Sequence, residues 1–270
     1  MVLVKNGKNV ITLSWDKLWD NKEMVFDKLF NFHPKEVIKS VSSRPYGETN
    51  IGMRREKNED AILIFDRNDI YDQIKLHSVY AVADGVGGQP NGEVASHSLT
   101  SLIFDYASNG QYIDQTELHK INSQIESGGS TLVLAQQLNE NKNYYDIFSV
   151  GDSSAIILDP KFGTLREITT RDENSLGEVT QAMGPDAGNS FFRQANLSSV
   201  ILREGQTLLL ATDGFTRYID KGKFTPSQIF KIKQTYPDET NFVRALINQT
   251  NSLGGVDNIT IISIPYISEK

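Results

Sequence analysis

Three carboxylates stand at the ends of apolar runs. Tyr80-Ala81-Val82-Ala83 leads into Asp84-Gly85, Leu208-Leu209-Leu210-Ala211-Thr212 leads into Asp213-Gly214, and Gly254-Gly255-Val256 precedes Asp257-Asn258 just ahead of Ile259-Thr260-Ile261-Ile262. Each alone reads as a turn, because Asp-Gly is an ordinary turn dipeptide. Together they suggest more: a strand end fixes a carboxylate rigidly, and a following glycine lets a cation or its water approach the backbone carbonyl. Carboxylates that converge repel one another unless a divalent cation neutralises them, so a metal is the economical expectation. A fourth element, Arg54-Arg55-Glu56-Lys57-Asn58-Glu59-Asp60, is a charged turn in its plain reading. In its chemical reading an arginine fork grips a phosphate while Glu59 or Asp60 supports the metal shell from the adjoining strand.

The segments that must position these residues alternate between strands and helices. Ala61–Asp66 and His77–Asp84 are apolar enough for buried strands. Val94, Leu99, Leu102, Ile103 and Tyr106 suit an amphipathic helix over 92–107, and Leu118, Ile121 and Ile125 a second over 114–125. Strand-like runs follow at 130–138, 144–151, 154–159 and 164–170, separated by turn signals at 139–143, 151–152 and 160–163. Short hairpin connections between them imply antiparallel pairing. Phe242, Val243, Leu246 and Ile247 mark a further helix over 241–250, and 258–264 closes as a strand. Toward the start, a strand is expected at Asn9–Leu13 and a helix at Asp20–Phe32 that packs on the core, with partner docking as its alternative. The fold class expected is a layered α/β protein with largely antiparallel sheets.

Composition narrows the chemistry. The chain has 270 residues, a net charge of -7, no cysteine and four histidines. Thiolate sites and disulfides are excluded, and few histidines disfavour zinc, which leaves carboxylates and hard cations. An acidic balance argues against nucleic-acid and anionic-membrane surfaces. The first residues lack an apolar stretch followed by a cleavage site, and no apolar run reaches membrane-spanning length. A cytoplasmic monomer without membrane or nucleic-acid partners is the expectation.

The order of these motifs from Gly52 to Ile264 resembles the metal-dependent protein phosphatases of the 2C family. Arg55-Glu56-Lys57-Asn58-Glu59-Asp60 is similar to its Arg-x-x-Asn-Glu-Asp opening, Asp84-Gly85-Val86-Gly87-Gly88 to its Asp-Gly-x-Gly-Gly motif, and Gly151-Asp152-Ser153 to its Gly-Asp-Ser segment. Gly128–Thr131 resembles a core strand motif, and Asp213 and Asp257 fall in segments that match the remaining metal ligands. The resemblance implies an α/β layered sandwich of two central, largely antiparallel sheets flanked by helices, and hydrolysis of phosphoserine and phosphothreonine on a phosphorylated protein substrate by a metal-activated water. It implies two manganese or magnesium ions bridged by Asp84, with Gly85, Asp213 and Asp257 as ligands, Arg55 on the phosphate, a third and weaker ion at Asp152, and Glu59, Asp60 and Asn258 behind the ligands.

This chain departs from the pattern in places. Val86 stands where some members carry histidine, and Ser154 replaces the usual arginine after Gly-Asp-Ser. Only a short link joins Asp172 to Gln181, where a flap subdomain is usual, so the flap is expected to be reduced. Residues 1–48 form an N-terminal extension expected to pack on a catalytic domain at 49–270. A catalytically weak phosphatase-like scaffold and a two-metal nuclease are the competing readings; the retained Arg55, Asp84, Asp213 and Asp257 disfavour the first, and the acidic charge the second.

Overall fold

The computed structural model describes residues 2–6, 9–13, 44–66, 78–86, 91–137, 143–187 and 191–266. The chain divides into two compact units, Met1–Ser40 and Val41–Lys270. In the first, β1 (Val2–Asn6) and β2 (Asn9–Leu13) pair as an antiparallel two-stranded sheet. The strand expected at Asn9–Leu13 is thus present, and the helix expected at 20–32 lies outside the described residues.

The second unit holds two five-stranded antiparallel sheets. One contains β4 (Asp60–Phe65), β5 (Val79–Asp84), β6 (Leu132–Gln137), β7 (Tyr144–Val150) and β10 (Asn196–Ile201), in the order β10-β7-β6-β5-β4. The other contains β3 (Tyr46–Asn50), β8 (Ser154–Asp159), β9 (Thr164–Glu167), β11 (Thr207–Ala211) and β12 (Ile259–Pro265), in the order β3-β12-β11-β8-β9. Helices α1 (Gly92–Ser108) and α2 (Gln115–Gln124) lie between β5 and β6 in the chain. Helices α3 (Asp213–Asp220), α4 (Pro226–Thr235) and α5 (Glu239–Ser252) lie between β11 and β12.

The alternation of side chains along each strand sorts the core into three layers. Tyr80, Val82, Val133 and Ile147 of the first sheet meet Ala155, Ile157, Leu208, Leu210 and Ile262 of the second. The intervening residues Ala81, Ala83, Leu132 and Leu134 face the other way, onto Ala95, Leu99 and Ile103 of α1 and Leu118 and Ile121 of α2. On the far side, Ile156, Leu158 and Leu209 pack against Phe215, Phe242, Val243 and Leu246. Central strands are therefore buried on both faces and read as unbroken apolar runs. Each large buried side chain contributes about 1.5–3 kcal/mol to folding.

Two expectations are corrected. Gly151-Asp152 does not close a hairpin: β7 and β8 belong to different sheets, so the chain crosses from one layer to the other there. In α1, Val94 faces solvent and Ala95 is on the buried side, because the close approach of the helix to β4 and β5 selects small residues.

Candidate functional site

Both sheets end at the same place. Asp60, which opens β4, pairs in register with Asp84, which closes β5. In the second sheet Ala211 at the end of β11 pairs with Ser154 at the start of β8 and with Ile261 near the start of β12. Asp152, Asp213 and Asp257 therefore issue from the ends of strands that share one edge.

Asp60 ties the two sheets together at that edge. Its Oδ2 accepts hydrogen bonds from Thr212 Oγ1 at 2.9 Å and Thr260 Oγ1 at 2.6 Å, both from the opposite sheet. Its Oδ1 is buried without a partner. The backbone of Asp84 is held on both sides: its N–H donates to Thr131 Oγ1 at 3.2 Å, and its carbonyl accepts from Thr131 N–H at 2.8 Å and Ser130 Oγ at 3.1 Å. Thr131 Oγ1 also lies 2.8 Å from Ser153 Oγ, which links this strand end to the crossover carrying Asp152. Gly85 allows a close approach, since a Cβ there would lie 2.4 Å from the Gly92 carbonyl carbon at the start of α1.

Asn258 clamps the arginine loop. Its Oδ1 accepts from Glu59 N–H at 2.9 Å, and its Nδ2 donates to the carbonyls of Ile51 and Lys57, each at 2.9 Å. Glu59 in turn accepts at its carbonyl from Gly85 N–H at 3.0 Å and Ser96 Oγ at 2.6 Å. Arg55 on this loop is partly exposed, and its Nη2 donates to Asp257 Oδ2 at 2.8 Å.

The electrostatics follow from burial of like charges. Burial, then Asp60, Asp213, Asp152 and Asp257, push Asp84 well above the usual carboxylate range. Asp60 and Asp213 are each pushed up to about 7, chiefly by burial. Asp152 is also raised by burial, with Arg217 opposing.

Asp84 thus feels the charges of Asp60, Asp213, Asp152 and Asp257. Among the described residues, however, no three His, Asp or Glu side chains are drawn together as a ready-made metal cage. Arginines hold oxygens that a cation would otherwise gather: Arg55 takes Asp257, and Arg217 takes Asp213 at 2.6 Å and Asp152 at 3.2 Å. The buried, unpartnered Oδ1 atoms of Asp60 and Asp213 and the all-oxygen donor set fit hard divalent cations.

Arg217 has no place in the expectation drawn from the motifs, although its spacing of four residues from Asp213 on one helix is a readable signal. Arg171 is a second addition. Its guanidinium donates to Ser154 Oγ at 3.0 Å, Glu167 Oε1 at 2.7 Å and Asp220 Oδ2 at 2.6 Å. The short link after it is a self-braced turn: Glu173 bridges Val179, and Asn174 Oδ1 accepts from Leu176 and Glu178 N–H. Its base is strapped to the crossover, where Asp172 N–H donates to the Gly151 carbonyl at 2.8 Å and Gly151 N–H to Asp172 Oδ2 at 3.0 Å. Glu167, Arg171, Glu173, Asn174 and Asp220 line an open groove of about 680 Å³ beside it.

The serine/threonine phosphatase stp of Listeria welshimeri is 27% identical over 252 residues, covering 80% of this chain and 93% of the relative. Its counterpart from Listeria monocytogenes is 26% identical over the same length. Among solved structures, the S. agalactiae serine/threonine phosphatase is 21% identical with a TM-score of 0.63, over 82% of this chain and 98% of that one. The Mycobacterium tuberculosis phosphatase PstP/Ppp is 21% identical with a TM-score of 0.61, over 82% and 97%. A PstP catalytic domain in complex with two manganese ions has a TM-score of 0.57 at 22% identity, over 82% and 96%. These structures share the fold. The family profile described as protein phosphatase 2C matches residues 54–255, and the chain belongs to that family.

Proposed function

We propose that this chain hydrolyses phosphoserine and phosphothreonine on proteins, using two divalent cations held by Asp84, Asp213 and Asp257 with the Gly85 carbonyl. The observation that supports this reading is the placement of aspartates at strand ends of both sheets, with Asp60 paired in register with Asp84, Asp152 and Asp213 held by one arginine, and Asp257 bonded to Arg55. Manganese or magnesium suits such oxygen donors. When bound, the cations supply an acidified water and neutralise charge on the phosphoryl group.

The residues of the chain do the rest. Ser130 and Thr131 hold the Asp84 backbone, so its carboxylate keeps a fixed position between the sheets. Asp60 supports this edge through Thr212 and Thr260. Arg55 exchanges Asp257 for the non-transferring phosphoryl oxygens, a charge-assisted and bidentate contact. Asn258 and Glu59 keep the Arg55 loop against the site. Val86 supplies no proton, so the leaving serine or threonine draws its proton from elsewhere than an imidazole at that position.

The phosphoprotein substrate, a cytoplasmic setting and a monomeric state belong to the same proposal. The net charge of -7 supports the exclusion of nucleic acid. Among the described residues no helix is long and apolar enough to cross a membrane. Phosphopeptide and nucleic-acid hydrolysis assayed side by side, with manganese and with chelator, test the reading. Manganese-dependent release of phosphate from the peptide alone is expected. Nucleic-acid cleavage, or no turnover of either substrate, would overturn it in favour of a nuclease or a scaffold respectively.

A further inference from the structure

The position expected for a third cation is already filled by a side chain. Asp152 on the crossover between the sheets and Asp213 at the start of α3 are both buried, and such a pair of carboxylates repels itself unless a positive charge lies between. One guanidinium meets that need. Arg217 Nε forms an ion pair with Asp213 Oδ2 at 2.6 Å, and its Nη2 donates to Asp152 Oδ2 at 3.2 Å, so it takes one oxygen from each. The i,i+4 spacing of Asp213 and Arg217 on α3 makes this reach a property of the helix.

A second arginine reinforces the arrangement from behind. Arg171 binds Ser154, two residues after Asp152, and is anchored by Glu167 and by Asp220 at the far end of α3. Ser154 is the position at which the resemblance leads one to expect arginine. The positive charge beside Asp152 therefore comes from Arg171 and Arg217 on other elements. Arg217 leaves Asp213 Oδ1 unpartnered, so the carboxylate can serve the guanidinium with one oxygen and a cation beside Asp84 with the other.

We propose that the Arg217 guanidinium takes the place of a third cation between Asp152 and Asp213, so that this chain binds two metal ions and excludes a third. The inference rests on the two-cation reading of the Asp84 site. A planar cation paired with both carboxylates repels a divalent ion and occupies an oxygen of each that such an ion would need. Arg217 is thus a positioning residue: it fixes Asp213 for the paired ions and removes the dependence of Asp152 on metal concentration.

Anomalous diffraction from crystals of the full chain at graded manganese concentrations, paired with calorimetric stoichiometry in solution, tests this. In the wild type, two manganese ions beside Asp84 and none between Asp152 and Asp213 are expected, even at millimolar manganese. In Arg217→Ala a third, weaker ion should appear between the two carboxylates, raising the stoichiometry from two to three. Arg217→Gln, which keeps most of the side-chain volume and removes the charge, should do the same and guards against a packing defect in the alanine variant. A third ion in the wild type with Arg217 displaced would overturn the inference. So would two ions in the wild type and still only two in both variants. Absence of manganese beside Asp84 in the wild type would instead overturn the metal reading of the whole site, and the inference with it.

Discussion

Arg55 and Asp257, 202 residues apart in the chain, meet through Arg55 Nη2 and Asp257 Oδ2 at 2.8 Å. The contact joins the one arginine assigned to phosphate with a carboxylate assigned to metal. A cation on Asp257 would weaken its hold on Arg55, and a phosphate would compete for the same guanidinium. On the proposed assignment, metal loading and substrate binding would be coupled through this one ion pair.

Arg55→Ala should weaken phosphate recognition with little effect on folding. Losing a bidentate charge-assisted contact costs about 1.5–3 kcal/mol, or roughly 10- to 150-fold in kcat/KM on a phosphopeptide. The Arg55–Asp257 pair is 41% and 26% exposed, so its removal should leave Tm nearly unchanged. Unaltered kinetics and unaltered inhibition by inorganic phosphate would assign Arg55 to the loop structure only.

Metal-free protein should lose stability as pH rises. Asp60 and Asp213 are raised to about 7, and Asp84 is raised as well, chiefly by burial in each case. A carboxyl group raised in the folded state contributes stability that is fully present below its ordinary value of about 3.9 and is lost as pH climbs through the folded value. Thermal melts with chelator should therefore show Tm falling between about pH 5 and about pH 8. The stabilisation by manganese should grow over the same interval, because cation and proton compete for the same oxygens. A metal-free Tm that stays level or rises would contradict the charge cluster.

The clamp at Asn258 makes a separate prediction. This side chain is buried and satisfies one amide and two carbonyls of the loop carrying Arg55. Asn258→Ala should cost about 1–3 kcal/mol in stability and also lower kcat/KM, since the loop loses its anchor. Stability measured by denaturant unfolding together with phosphopeptide kinetics checks both parts; a loss of stability with kinetics unchanged would separate the clamp from Arg55.

Gly214 is set by contact. A Cβ at this position would lie 1.8 Å from the Asn258 carbonyl oxygen, so Gly214→Ala must push α3 away from the start of β12. Overpacking of this kind costs about 1–3 kcal/mol, and a backbone contact this close places it at the upper end. Manganese affinity should fall too, because Asp213 moves with the helix. A variant with wild-type Tm and affinity would show that the two segments can part freely.

Much of this arrangement was readable in the chain because central strands buried on both faces leave unbroken apolar runs that end in Asp84 and Asp213. The edges were not. Tyr46–Asn50 and Asn196–Ile201 are strands with few buried residues, Val200 being the buried apolar side chain of the second, so neither announces itself. Helix α4 carried a signal in Thr225, Pro226 and Gln228, which form a capping box with proline in the first turn. Gly151-Asp152 reads locally as a hairpin turn, and only the assignment of β7 and β8 to different sheets shows it to be a crossover. The aspartates at the strand ends stand out in their motifs, whereas the pairing of Asp152 and Asp213 by Arg217 depends on that crossover and is absent from any local pattern.

The proposed role of Asp84, to organise two cations for phosphoester hydrolysis, is tested most directly by manganese-binding calorimetry combined with phosphopeptide turnover in Asp84→Asn. The wild type should bind two ions tightly and turn over only with metal. The variant should remain folded, with a metal-free Tm at or above that of the wild type because repulsion with Asp60, Asp213, Asp152 and Asp257 is relieved. It should lose tight binding of both ions and all measurable turnover. Tight binding of two ions with wild-type turnover in Asp84→Asn would contradict the account.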